Sequence, residues 1–195
     1  MDEKTIAVYD EQAVKYADLM AHEKKDPALA AFIAGLPKGA QVLDLGCGPG
    51  WAAGEMASAG LQVTATDASA EMVAMAAKLP GVTAVQADFD QIEGDNLYDG
   101  IWANFCLLHA PRADMPRHLA GLVRALKPGG AFHIALKTGT GESRDKIGRF
   151  YTFYEIDEMR ALLTAAGLRV TGTTTGEGPG LDGTVSPWFA MTANG

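Results

Sequence analysis

The sequence predicts an α/β protein: a mostly parallel sheet covered by helices on both faces and finished by an antiparallel C-terminal hairpin. From Gly35 onward, short β-rich runs alternate with helical stretches, the pattern that winds a parallel sheet between helices. Each of the first five runs is apolar enough to be buried on both faces. Near the C-terminus, two β-branched or aromatic runs flank the segment GEGPGLDG, which reads as the connection of a hairpin.

The elements follow in order. Glu11–Met20 and Pro27–Leu36 read as helices ahead of the first strand, with Tyr9 and Tyr16 one heptad apart and so on one face. Residues 1–37 are therefore expected to form a helical cap and residues 38–195 the core of a single domain. Strands are expected at Gln41–Leu45, Leu61–Thr66, Val82–Gln86, Tyr98–Asn104 and Ala131–Lys137. Helices fit between them. Trp51–Ala59 follows a glycine-rich turn, and Ser69–Lys78 sets Met72, Met75 and Ala76 at helical spacing before Pro80 and Gly81 stop it. Pro116–Leu126 places Leu119, Leu122, Val123 and Leu126 on one face and runs into LKPGG. Glu155–Ala166 does the same with Met159, Leu162 and Leu163, ending at Gly167. The hairpin strands are expected at Leu168–Thr175 and Val185–Thr192. Lys137–Phe150 is the one irregular stretch long enough to suggest a mobile lid.

Composition limits the partners. The chain has 195 residues, 48% hydrophobic, and 16 Lys and Arg against 24 Asp and Glu give a net charge of −8. That sign opposes phosphate neutralisation, so neither nucleic acid nor an anionic membrane surface is expected. No apolar run approaches the ~18–20 residues of a membrane span, and the opening MDEKTIAVYDEQ is not a secretory leader. Cys47 and Cys106, with no C-x-x-C spacing, indicate neither a disulfide framework nor a zinc site, and a cytoplasmic, reducing location fits. His22, His118 and His133 have no metal spacing, so no metal is expected.

The most informative segment is VLDLGCGPG, where a buried strand runs into Gly46, Gly48 and Gly50. A dinucleotide turn is G-x-G-x-x-G, and here Trp51 stands where the last glycine would let backbone approach a pyrophosphate. A P-loop needs Gly-Lys-Ser/Thr, which is absent. Asp44 sets a carboxylate at the rim, suiting a ligand with positive charge. Asp67 ends the next strand, where its two oxygens suit a ribose diol. Asp88 and Phe89 follow the third strand, an acceptor beside a ring that can read an adenine amino edge. Either aspartate can equally cap a helix or turn. The ligand implied is a nucleoside without pyrophosphate and with a cationic end.

On these residues the chain resembles the class I S-adenosylmethionine-dependent methyltransferases, of the compact small-molecule, type 11-like kind. The likeness extends to YDGIWANFCLLHAP, LKPGG and the opening YDEQAVKY, and covers nearly the whole chain. It implies a Rossmann-like sheet of seven strands with S-adenosylmethionine as cofactor and S-adenosylhomocysteine as product. It implies that Asp44, Gly46, Cys47, Gly48 and Gly50 surround the methionine part, that Asp67 and Ala68 meet the ribose, and that Asp88, Phe89 and Asn104 complete the cofactor site. Transfer to a small-molecule acceptor, by a monomer or homodimer, is the expected activity; a cofactor-binding sensor or partner module without turnover would keep the same residues. After the fourth strand the chain reads Asn104, Phe105, Cys106 and Leu107 instead of N-P-P-Y, which disfavours adenine or glutamine N-methylation.

Methyl transfer from a sulfonium chiefly needs donor and acceptor held in line. His109 is the candidate base, or else a packing residue at the strand mouth. Arg149 and Tyr151, with Tyr9 and Tyr16 of the cap, are the candidate acceptor contacts. Arg149 reads either as a clamp for an anionic acceptor or as part of a solvated loop.

Overall fold

The computed structural model describes residues 2–21 and 26–195. His22 lies outside the described residues. Strands β1 (Gln41–Leu45), β2 (Gln62–Asp67), β3 (Val82–Gln86), β4 (Tyr98–Asn104), β5 (Leu126–Lys137), β8 (Arg169–Pro179) and β9 (Val185–Asn194) form one sheet in the order β3-β2-β1-β4-β5-β9-β8. The pairs from β3 to β5 are parallel, whereas β9 runs antiparallel to both β5 and β8. The expected α/β class and hairpin are therefore present.

Side-chain alternation along the central strands builds two cores. Leu43, Leu45, Ile101 and Ala103 point to one face, where they meet α6 (Met115–Ala125) and α7 (Ile156–Ala165). Val42 and Trp102 point to the other, against α3 (Pro27–Ala34) and α4 (Trp51–Ser58). This two-sided burial is why the strands read as continuous apolar runs. Phe32 of α3 packs on Trp102 at 5.3 Å, so α3 is a layer of the core, not part of a cover over the strand ends.

Four expectations need correction. The single helix Glu11–Met20 is the second of two, α1 (Glu3–Glu11) and α2 (Ala13–Ala21), separated at Gln12, whose φ of −110° leaves the helical region. Asp2 caps α1 by accepting the Thr5 N–H at 2.8 Å. Tyr9 and Tyr16 therefore belong to different helices, yet their rings still meet edge to face at 5.5 Å. The irregular 137–150 stretch contains β6 (Glu142–Arg144), which pairs with β7 (Phe150–Thr152) as a small ribbon. The LKPGG stop begins β5, with a register shift opposite Tyr98 and Gly100. The hairpin strands run longer than expected and leave only a short turn at residues 180–184. No helix among the described residues is long and apolar enough to cross a membrane.

The strand order reverses between β1 and β4, and in open α/β sheets ligand clefts form beyond the strand ends at that point.

Candidate functional site: a cleft at the strand switch point

A cleft opens at the C-terminal ends of β1, β2 and β4 and is covered by α1 and α2. Of the candidate site residues, Gly46, Gly48, Asp67, Ala68, Phe89, Asn104, His109, Tyr9 and Tyr16 line it. Thr5, Met72, Ala87, Phe105 and Cys106 line it too.

The glycines of the turn are required by space as well as conformation. Gly46 has φ +63°, and a Cβ there would sit 2.3 Å from Cys106 Cβ. Gly50 has φ +88°, and its Cβ would press on Ala76 and Leu79 at 2.8 Å. Gly50 thus lets α5 (Ala70–Ala76) pack on the start of α4, outside the cleft lining. Gly48 has φ +54° and faces the Tyr16 ring.

Asp67 ties two loops together. Its Oδ2 accepts the Gly48 N–H and its Oδ1 accepts the Ser69 N–H, both at 2.9 Å. Burial pushes its carboxyl above the usual carboxylate range, against those backbone donors. Each carboxylate oxygen has a second lone pair, so a diol can still be received. Asp44 is 2% exposed and lies behind the turn, not in the cleft lining. Burial lifts its pKa to about 7, opposed by the Ala53 N–H of α4, and its Oδ2 has no partner. The thiol of Cys47 donates to the Gly48 carbonyl at 3.4 Å; burial pushes it and that of Cys106 upward, so both cysteines are inert packing groups.

Asp88 serves as a cap: its Oδ1 accepts the Asp90 N–H at 2.9 Å while Gln91 accepts the Asp88 N–H. It is not among the lining residues, whereas neighbouring Phe89 is. At the end of β4, Asn104 Oδ1 accepts from Nε2 of His133 at 3.1 Å. His133 stacks on Trp102 at 3.6 Å, and burial depresses its pKa to about 3. The two rings are register partners on adjacent strands, a pairing invisible before the sheet is assembled.

The acceptor-side expectations meet in one polar chain. His109 Nδ1 donates to the Phe150 carbonyl at 2.6 Å, so Nε2 is the acceptor and takes the Tyr9 hydroxyl at 2.9 Å. Burial holds His109 near a pKa of about 4 and therefore neutral. Arg149 Nη1 donates to the same Tyr9 oxygen at 2.8 Å, and its Nε donates to Asp145 at 2.9 Å. Arg149 is only 2% exposed and lies outside the cleft lining, so it is not an open clamp. Tyr151 is also buried, with its ring 4.7 Å from that of His109.

A family model described as a methyltransferase domain matches residues 42–130, from β1 into β5. The chain is 35% identical to the cypemycin N-terminal methyltransferase of a Streptomyces species, over 64% of this chain and 54% of that protein. It is 33% identical to the trans-aconitate 2-methyltransferase of Deinococcus radiodurans, over 65% and 54%. The chain thus spans about half the length of these curated relatives. The structure of Burkholderia thailandensis 1,6-didemethyltoxoflavin-N1-methyltransferase, holding 1,6-didemethyltoxoflavin and S-adenosylhomocysteine, superposes with a TM-score of 0.80 at 25% identity, over 98% of this chain and 87% of that one. The glycine turn, the strand-end acids, the sheet order and these likenesses agree: the chain carries a methyltransferase-domain match from β1 into β5 and is similar in fold to class I S-adenosylmethionine-dependent methyltransferases.

Proposed function

We propose that the protein transfers a methyl group from S-adenosylmethionine to a small-molecule acceptor. The observation that carries this reading is Asp67, a carboxylate at the end of β2 whose oxygens are oriented by Gly48 and Ser69 and still face the cleft. The partnerless Oδ2 of Asp44 beneath the turn suits an added cation. When bound, S-adenosylmethionine supplies an electrophilic methyl group on a positively charged sulfur.

The chain's own residues then bind and orient. Gly46 and Gly48 allow backbone to close on the ligand, Asp67 receives the ribose hydroxyls with Ala68 beside it, and Phe89 gives a ring face for the base. Asn104, oriented by His133, borders the methionine end. The cap helices exclude water. Holding the two reactants in line supplies effective molarities of about 10⁵ M or more. Both ring nitrogens of His109 are engaged within the protein, so His109 acts by fixing Tyr9 rather than by meeting the acceptor directly.

The compounds named for the relatives, the cypemycin N-terminus, trans-aconitate and 1,6-didemethyltoxoflavin, differ in chemistry. The acceptor class is thus a matter for this cleft. The reading is tested by incubating the full chain with methyl-labelled S-adenosylmethionine and fractionated small-molecule extracts. Label is expected in a low-mass product, and Asp67→Ala abolishes it at limiting cofactor. Cofactor binding with no transfer in any fraction contradicts an enzyme.

A further inference from the structure

The part of the cleft left for the acceptor has a defined charge and hydrogen-bonding character. Among the described residues, Asp67 is the one charged side chain in its lining, and no Lys or Arg contributes. Two cations beside Tyr9 and Tyr151 are already committed. Arg149 spends Nε on Asp145 and holds Nη2 2.8 Å from the same carboxylate, while Nη1 serves Tyr9. The Lys137 ammonium lies 4.3 Å over the Tyr151 ring, on the residue that packs against His109. An anion entering this cleft loses hydration and gains no countercharge from the protein's own side chains in the lining.

Tyr9 sets the hydrogen-bonding sense. Its single proton goes to His109 Nε2, whose acceptor role is fixed by the Nδ1 bond to Phe150. One oxygen lone pair takes the Arg149 N–H. A phenol oxygen has one lone pair more, so toward the cleft Tyr9 can accept a hydrogen bond and cannot donate one. Around it stand ring faces. Tyr16 meets Tyr9 edge to face at 5.5 Å, and Phe105 is held at the cleft by an unusual φ of +53° with its ring against Trp188. Such surfaces favour a flat ring over a flexible chain.

We infer that the acceptor is an uncharged planar ring compound that presents an O–H or N–H to the Tyr9 hydroxyl oxygen. The inference rests on the methyl-transfer reading of the same cleft and adds its specificity. Three probes of one ring size separate its parts: a naphthol, the corresponding methoxynaphthalene and the corresponding naphthoate. Each is titrated calorimetrically, at neutral pH, into the full chain saturated with S-adenosylhomocysteine. The naphthol is expected to bind about tenfold more tightly than its methyl ether, which has lost the donor, and more tightly still than the anion. In Tyr9→Phe the preference for naphthol over ether disappears. Tightest binding of the naphthoate, equal binding of all three, or a naphthol preference that survives in Tyr9→Phe overturns the inference. The wild-type ranking decides even if the variant fails to fold. Failure of S-adenosylhomocysteine itself to bind is seen before any probe is added and counts against the methyl-transfer reading instead.

Discussion

Asp44 and Asp67 are two buried acids with different surroundings, and the difference assigns their work. Asp67 has both oxygens bonded to backbone donors, whereas Asp44 keeps one oxygen without a partner. With its pKa lifted to about 7 by burial, Asp44 is protonated in acid and becomes an anion near neutrality. A cationic ligand prefers the ionised form. Affinity for S-adenosylmethionine, whose sulfonium carries the charge, is therefore highest above about pH 7 and falls as pH drops through that value, while Asp44→Asn binds it more weakly with a flatter profile. Calorimetry across this range checks it, and a wild-type affinity independent of pH contradicts the role. The aspartates and glycines were legible in the sequence because strand, turn and helix force their spacing. The Tyr9, His109 and Arg149 chain was not, since its members lie 100 and 140 residues apart and meet only after folding.

The cap is held by polar staples to three elements. Ser69 caps α5 by accepting the Met72 N–H at 3.2 Å and donates to Asp10 of α1 at 2.6 Å. On the other side, the Phe150 N–H of β7 donates to Thr5 at 2.8 Å, and Arg144 of β6 pairs with Asp2 at 2.7 Å. Ser69→Ala removes a helix cap and a buried hydroxyl bond together, so it is expected to destabilise the protein by about 1–3 kcal/mol in urea unfolding. Ser69→Thr recovers part of that loss, and an alanine variant as stable as wild type contradicts the staple. These elements were the least legible. Helical periodicity runs through Gln12 without a proline or glycine to mark the break. β6 is three exposed residues, too short for alternation to register. Its pairing is decided by β7 and the α1 contacts.

At the scale of the molecule, the alternation of runs correctly gave the sheet and its C-terminal hairpin. Two-sided burial of β1 and β4 leaves a strong local signal, and the family resemblance supplied the strand count. Which strand neighbours which is a property of the assembled sheet, and the reversal between β1 and β4 is what opens the cleft. The net charge of −8 disfavours polyanionic partners; on the proposed reading the cleft restricts the acceptor further, because Arg149 is paired with Asp145 and Lys137 lies over the Tyr151 ring. The measurement that tests the account most directly is calorimetric titration of the full chain with S-adenosylhomocysteine, wild type against Asp67→Ala, with NAD as the comparison ligand. The expected result is saturable binding of S-adenosylhomocysteine alone, weakened in the variant by about 1–3 kcal/mol, the cost of unpaired ribose hydroxyls. A folded wild-type protein that binds no S-adenosylhomocysteine, or an Asp67→Ala variant that binds it equally well, contradicts the account.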